Sequence, residues 1–230
     1  MANKVTPRAV NAPTIATRAE VDAYVAAAME APTARLIFAL DATASRQPTW
    51  DLACQLQAEM FREASGLRVQ LVYYRGSDEC KASHWVEHPS ALAGFMERIQ
   101  CRMGDTQIGR VLAHAKKQAE GAKVSALVFV GDAFEEDADR ISRAADALGR
   151  LGVSAFMFQE GDDQDVKRVF QEIARRTRGA YGQFDAGAAR QLGDLLRAVA
   201  VFAVGGMPAL AARRDAGAVK LLEQIKRRRG

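Results

Sequence analysis

The chain has 230 residues, 49% of them hydrophobic and 26% charged, with a formal net charge of +4. This is the composition of a soluble globular protein long enough for one packed domain with extensions, and no apolar run approaches the roughly 20 residues of a membrane span. Three scattered cysteines, Cys54, Cys80 and Cys101, make neither a disulfide framework nor a zinc knuckle, and suit a reducing, cytoplasmic location.

The first 20 residues lack the apolar core of a secretory signal and read as a leader. A helical period follows in 18–31, with Val21, Tyr24, Val25 and Ala28 on one face. Pro32 separates it from "ARLIFALDA", an apolar run of strand length. The stretch 48–65 carries Leu52, Leu56, Met60 and Ala64 at helical spacing, with Gly66 as its stop. "LRVQLVYYR" alternates as a strand, and the more polar "CKASHWVE" suits an edge strand.

A short helix around "SALAGFMERIQ" leads into the loop "CRMGDTQIG" and the helix "IGRVLAHAKKQAE". "KVSALVFVGDA" is the second strongly apolar run. A helix over 135–150 follows, its early acids well placed against the N-terminal dipole. Then come the strand "VSAFMFQ", the helix "DVKRVFQEIARRT", the strand "AYGQF" and the helix "AARQLGDLLRAVAVFAV". Gly205–Pro208 reads as a linker, and "AGAVKLLEQIKRRR" as a terminal helix. From Arg213 to Gly230 there are seven Lys or Arg against two acids. The positive charge therefore belongs to this tail, 213–230, a candidate second contact. A nucleic-acid face across the fold is not expected.

Apolar strands alternating with amphipathic helices call for a three-layer α/β fold, a mostly parallel sheet of about six strands flanked by helices. The expected domain limits are a leader and helix over 1–33, an α/β domain over 34–204, and a linker with basic helix over 205–230.

Two strands, "LIFALD" and "ALVFVGD", each deliver an acid at the carboxyl end, Asp41 and Asp132. In a parallel sheet these ends share one edge, where ligands bind at the reversal of strand order. Carboxylates brought together there repel unless a proton or cation intervenes. The neighbouring Thr43, Ser45 and Thr106 are hydroxyls, and an all-oxygen set suits a hard cation such as Mg²⁺ or Mn²⁺. Taken alone, Asp41, Thr43 and Ser45 also read as a helix-cap cluster. His84 and His88 read as surface histidines, His114 as lying on the exposed side of its helix, and Arg175, Arg176 and Arg178 as a helix end. Glycine-rich phosphate loops and GxSxG elbows are absent from the sequence.

Asp41-Ala42-Thr43-Ala44-Ser45 resembles the Asp-x-Ser-x-Ser opening of the metal-ion-dependent adhesion site (MIDAS) in von Willebrand factor A (VWA) domains. "GDTQIGRVLAHA" resembles that family's Gly-x-Thr loop and following helix, "VFVGDA" stands where the family has apolar residues and Thr-Asp-Gly, and "IARRTRGAYGQF" resembles its closing helix, glycine and strand. The resemblance spans roughly residues 34–200. It implies a binding module rather than an enzyme. Thr43, Ser45 and Thr106 would ligate the metal directly, Asp41 and Asp132 mainly through water, and an Asp or Glu of a protein partner would complete the shell. Thr43 in place of serine adds a methyl group, and Gly131-Asp132-Ala133 lacks the family's flanking hydroxyl and glycine. Two other readings of the chain are a metal-dependent phosphoesterase on a similar sheet, with Asp41 as nucleophile or ligand, and a metal-free scaffold that docks through its helices and basic tail.

Overall fold

Strand β1 (Ala34–Asp41) runs through the middle of a six-stranded sheet because both of its faces are apolar, and all but one of its residues are buried. The computed structural model describes residues 17–19, 34–62, 64–185 and 188–226. The chain divides into two units, Met1–Pro32 and Thr33–Gly230. Of the first, only 17–19 are described, with 18 and 19 helical, so the rest of the helix expected over 18–31 lies outside the described residues.

The other strands are β2 (Leu67–Arg75), β3 (Glu79–Ala82), β4 (Ala126–Gly131), β5 (Ser154–Glu160) and β6 (Ala180–Phe184). Their order is β3-β2-β1-β4-β5-β6, parallel throughout except for the polar edge strand β3. Alternation along β1 divides its side chains between two cores. Leu36, Phe38 and Leu40 pack with Trp50 of α1 (Gln47–Leu56), Met60 of α2 (Glu59–Arg62) and Leu92 of α3 (Pro89–Met96). The long helix α7 (Ala189–Ala211) and α8 (Ala216–Lys226) close the same face. Ile37 and Ala39 pack on the other face with Val111 of α4 (Ile108–Gly121), Ile141 of α5 (Ala138–Arg150) and Phe170 of α6 (Gln164–Arg176). This is the expected three-layer α/β architecture.

Local differences have local causes. The single helix expected over 48–65 is broken in two, because the chain tightens where Met60 N–H bonds Gln57 O and Phe61 N–H bonds Ala58 O, both three-residue links. Gly205–Pro208, expected as a linker, is instead a kink inside α7. Gly206 takes a left-handed φ of 63° there, and Pro208 two residues on cannot supply a helical N–H. The chain then turns back. Asp215 accepts Ala218 N–H at 3.0 Å and pairs with Arg213 at 2.7 Å, which starts α8, and Ala218, Leu221, Leu222 and Ile225 enter the core. Residues 227–230 of the basic tail lie outside the described residues. Among those described, α7 is long and apolar enough to cross a membrane by length and composition, contrary to the sequence expectation. Its Leu192, Leu195, Leu196 and Val199 are buried in the core beside β1.

His114 is half-buried rather than exposed, its Nε2 lying 2.9 Å from Gln70 Oε1. Burial first, and then the Lys117 charge, holds its pKa below the ordinary histidine value.

Two outcomes follow from this packing. Leu221→Ala should cost about 2–5 kcal/mol in urea unfolding, as core truncations do; an unchanged midpoint would make α8 a detachable tail. A histidine whose folded pKa is depressed contributes stability that is complete above the unfolded pKa of about 6.5 and declines as pH falls through it. Stability should therefore drop between pH 7 and 5, and the profile of His114→Gln should be flatter; parallel profiles would refute the assignment.

Candidate cation site

The register of the central strands builds the site. Leu40 stands opposite Val130, so Asp41 lies beside Gly131 and Asp132 follows one residue past the end of β4. This junction is where the strand order reverses, the place at which open α/β sheets form a crevice. Asp41 is 4% exposed, and on its other side stands Tyr74 of β2. One Asp41 oxygen accepts Thr43 N–H at 2.7 Å, an Asx-type turn that ends the strand and feeds a short 3₁₀ turn, Ala44–Arg46, ahead of α1. Neither helical start carries a side-chain cap bond, so Thr43 and Ser45 are not occupied in capping.

Burial raises the Asp41 pKa above the ordinary carboxyl value, Asp132 raises it further, and bonds from Thr43 and the charge of Arg46 pull it back. The Tyr74 hydroxyl is buried beside this carboxylate without a well-formed hydrogen bond. Burial and the adjacent Asp41 charge hold it protonated, well above the ordinary tyrosine pKa.

The second loop, 101–107, is tied down by its backbone. Arg102 N–H bonds Ala42 O at 3.0 Å, and Asp105 N–H bonds Gly76 O at 3.2 Å. Gly104 crosses so close to Gly76 that a β-carbon on it would fall 2.3 Å from backbone atoms. Gln107 adds a 3.0 Å bond to Gly76 O. Thr106 is then locked to the third loop by a reciprocal pair: Glu135 N–H donates to Thr106 Oγ1 at 3.1 Å, and Thr106 N–H to Glu135 Oε2 at 3.2 Å. Glu136 accepts from Ile108 N–H and, at 3.0 Å, from Gly109 N–H, which satisfies the start of α4. These two acids, expected to open their own helix, instead brace the 101–107 loop and the start of α4, and α5 begins later with Asp137 accepting Arg140 N–H at 2.7 Å.

All five residues singled out in the sequence, Asp41, Thr43, Ser45, Thr106 and Asp132, line one open cleft of about 280 Å³, together with Ala44, Met103, Gly104, Ala133 and Glu135. Met103 stands at the rim, 86% exposed. None of the lining side chains is basic.

Arg46 went unassigned in the sequence and lies buried against this cleft. Its guanidinium is 4% exposed, with Nη1 at 3.2 Å from Asp132 Oδ2 and 2.6 Å from Glu160 Oε2. Thr49 also donates its hydroxyl to Glu160. The sequence signal for this cluster is a third strand ending in an acid, "VSAFMFQE", beside the arginine that follows the hydroxyl run.

A divalent cation fits this donor set on two grounds. The available groups are carboxylate and hydroxyl oxygens, and Asp41, Asp132 and Glu160 against the single Arg46 leave two negative charges uncompensated. Among the described residues no three His, Cys, Asp or Glu side chains come together as a metal cluster, so a cation here depends on the hydroxyls. His84 packs its ring edge-on to Phe95 at 4.8 Å, away from ligation. Arg175 and Arg176 pair with Glu172, as a helix end would.

Solved structures similar to this chain include the SpRpn10 VWA domain, with a TM-score of 0.57 and 11% identity, covering 73% of this chain and 95% of that one. The chain carries a von Willebrand factor A fold. An aerotolerance-related membrane protein from Bacteroides fragilis is similar at TM-score 0.54 and 17% identity, covering 84% of this chain and 99% of that one. Proximal thread matrix protein 1 from the mussel byssus, solved with a zinc-occupied MIDAS motif, is similar at TM-score 0.59 and 14% identity, over 74% of this chain and 46% of that one. No protein-family model and no curated protein matches the sequence. At these identities the likeness establishes the VWA fold alone.

Removing Arg46 alone should be costly, because Glu160 would be left buried without a counter-charge. Arg46→Ala is expected to lose about 3–5 kcal/mol in chemical denaturation; a loss below about 1 kcal/mol, the ordinary worth of a surface pair, would show that the cluster is solvated.

Proposed function

We propose that the domain is a protein-interaction module whose cleft holds Mg²⁺ or Mn²⁺ and, through it, captures a carboxylate of a protein partner. One observation carries this reading: three loops converge to line a single open cleft with the carboxylates of Asp41, Asp132 and Glu135 and the hydroxyls of Thr43, Ser45 and Thr106. Such a set favours a hard cation over any anion. Thr43, Ser45, Thr106, Asp41 and Asp132 would hold the ion. Once bound, it would supply a positive point that an incoming carboxylate can join, and a partner without that group would gain nothing there. The mussel protein, with zinc in its MIDAS motif, offers a parallel on the same fold.

The same lining weighs against phosphoryl transfer. A phosphate entering the cleft would meet acids, while the Arg46 guanidinium lies buried and shared between Asp132 and Glu160. We therefore read the domain as a binding module and not an enzyme. The thiols of Cys54, Cys80 and Cys101 are free, which accords with a reducing, cytoplasmic setting.

Calorimetric titration of Mg²⁺ and Mn²⁺ into the protein tests the reading. Asp41→Asn keeps an acceptor for Thr43 N–H but removes the charge, and Ser45→Ala changes an exposed hydroxyl. Each should weaken binding at least tenfold while the protein still unfolds cooperatively, and a chelator should release captured partner. Absence of binding heat in the native protein, or binding indifferent to both substitutions, would remove the metal from this function.

A further inference from the structure

Arg46 has no part in the ligand set, yet it touches a member of it. Its guanidinium is buried at 4% exposure and holds Asp132 at 3.2 Å and Glu160 at 2.6 Å through the same nitrogen, Nη1. Its charge also acts on Asp41. A fixed positive charge in this position has two consequences. It relieves the repulsion between Asp41 and Asp132 without any bound ion, and it contends with a bound ion for Asp132. Because a guanidinium stays protonated across the physiological range, the contention is permanent. The hold is also incomplete: Nε and Nη2 are buried with no hydrogen-bond partner, so Asp132 receives one shared ion-pair contact rather than a two-pronged clamp. An ion can take that carboxylate over.

We propose that Arg46 is a resident counter-ion of the cleft, which sets how tightly a divalent cation is held by competing with it for Asp132. This rests on reading the cleft as a cation site. The fold then persists without the ion, and the ion is held more weakly than the same five residues would hold it alone. Glu160 acts on the other side of the balance: by sharing Nη1 it draws the guanidinium away from Asp132.

Mn²⁺ titration of the full chain by calorimetry, at fixed ionic strength, tests the proposal with two variants. Arg46→Gln/Glu160→Gln removes both charges of the buried pair and leaves Asp132 to the ion, so Kd should tighten at least tenfold. The rise in melting temperature on adding Mn²⁺ should grow accordingly. Glu160→Gln alone leaves Arg46 wholly to Asp132, and Kd should weaken at least threefold. An unchanged or weaker Kd in the double variant, or an unchanged or tighter one in Glu160→Gln, would make Arg46 a structural residue only; wild-type binding would then leave the proposed function standing. Binding by the double variant alone would uphold the competition and overturn metal dependence in the native chain. Failure of every form to bind would overturn both.

Discussion

Everything at the carboxyl edge of this sheet answers one electrostatic constraint: two neighbouring strands end in acids whose charges repel, and one of those acids is buried. Register fixes the problem, because Leu40 pairs with Val130, which sets Asp132 only one residue beyond the level of Asp41. Burial makes it worse, raising the Asp41 pKa. Arg46 answers it from beneath, joining Asp132 to Glu160 at the end of the next strand. Three consecutive parallel strands, β1, β4 and β5, thus finish in one charge cluster around a single guanidinium.

Around that cluster each loop is tied by hydrogen bonds that engage its backbone. The loop after β1 is set by the Asx-type turn on Thr43, the 101–107 loop by its bonds to Gly76 and Ala42, and the loop after β4 by the exchange of bonds between Thr106 and Glu135. The hydroxyls that would ligate a cation are carried on segments held by backbone–backbone and side chain–backbone bonds. Such preorganisation lowers the ordering cost of binding.

The sheet, its layers and the convergence of five polar residues were legible in the sequence because each rests on a local pattern. Strands that are apolar on both faces announce a parallel sheet, and an acid at the end of such a strand announces an edge that must be compensated. Arg46 was not legible, since its role depends on Glu160, which is adjacent only after β5 takes its place beside β4. Glu135 and Glu136 misled for a related reason. Acids before a helix have a ready local use, and only the fold shows Glu135 spent on Thr106 and Glu136 on the start of α4 instead. The kink at Gly206 looked like a linker because glycine and proline mark both, and the apolar face of α8 that recovers the chain lies a turn beyond. Sequence periodicity reads single elements well. It reads poorly the side chains that serve an element other than their own.

The strand order of this sheet is shared with dinucleotide-binding folds, in which a pyrophosphate rests on the bare start of a helix. Here the start of α4, the helix beside the cleft, is already taken by the carboxylate of Glu136. The protein thus supplies its own anion at this helix start, whereas in those folds the pyrophosphate rests on the helix after the first strand. With Ile108 and Gly109 N–H already satisfied, the start of α4 has no pair of bare donors left to offer an anion, and the acids lining the neighbouring cleft add to that bias.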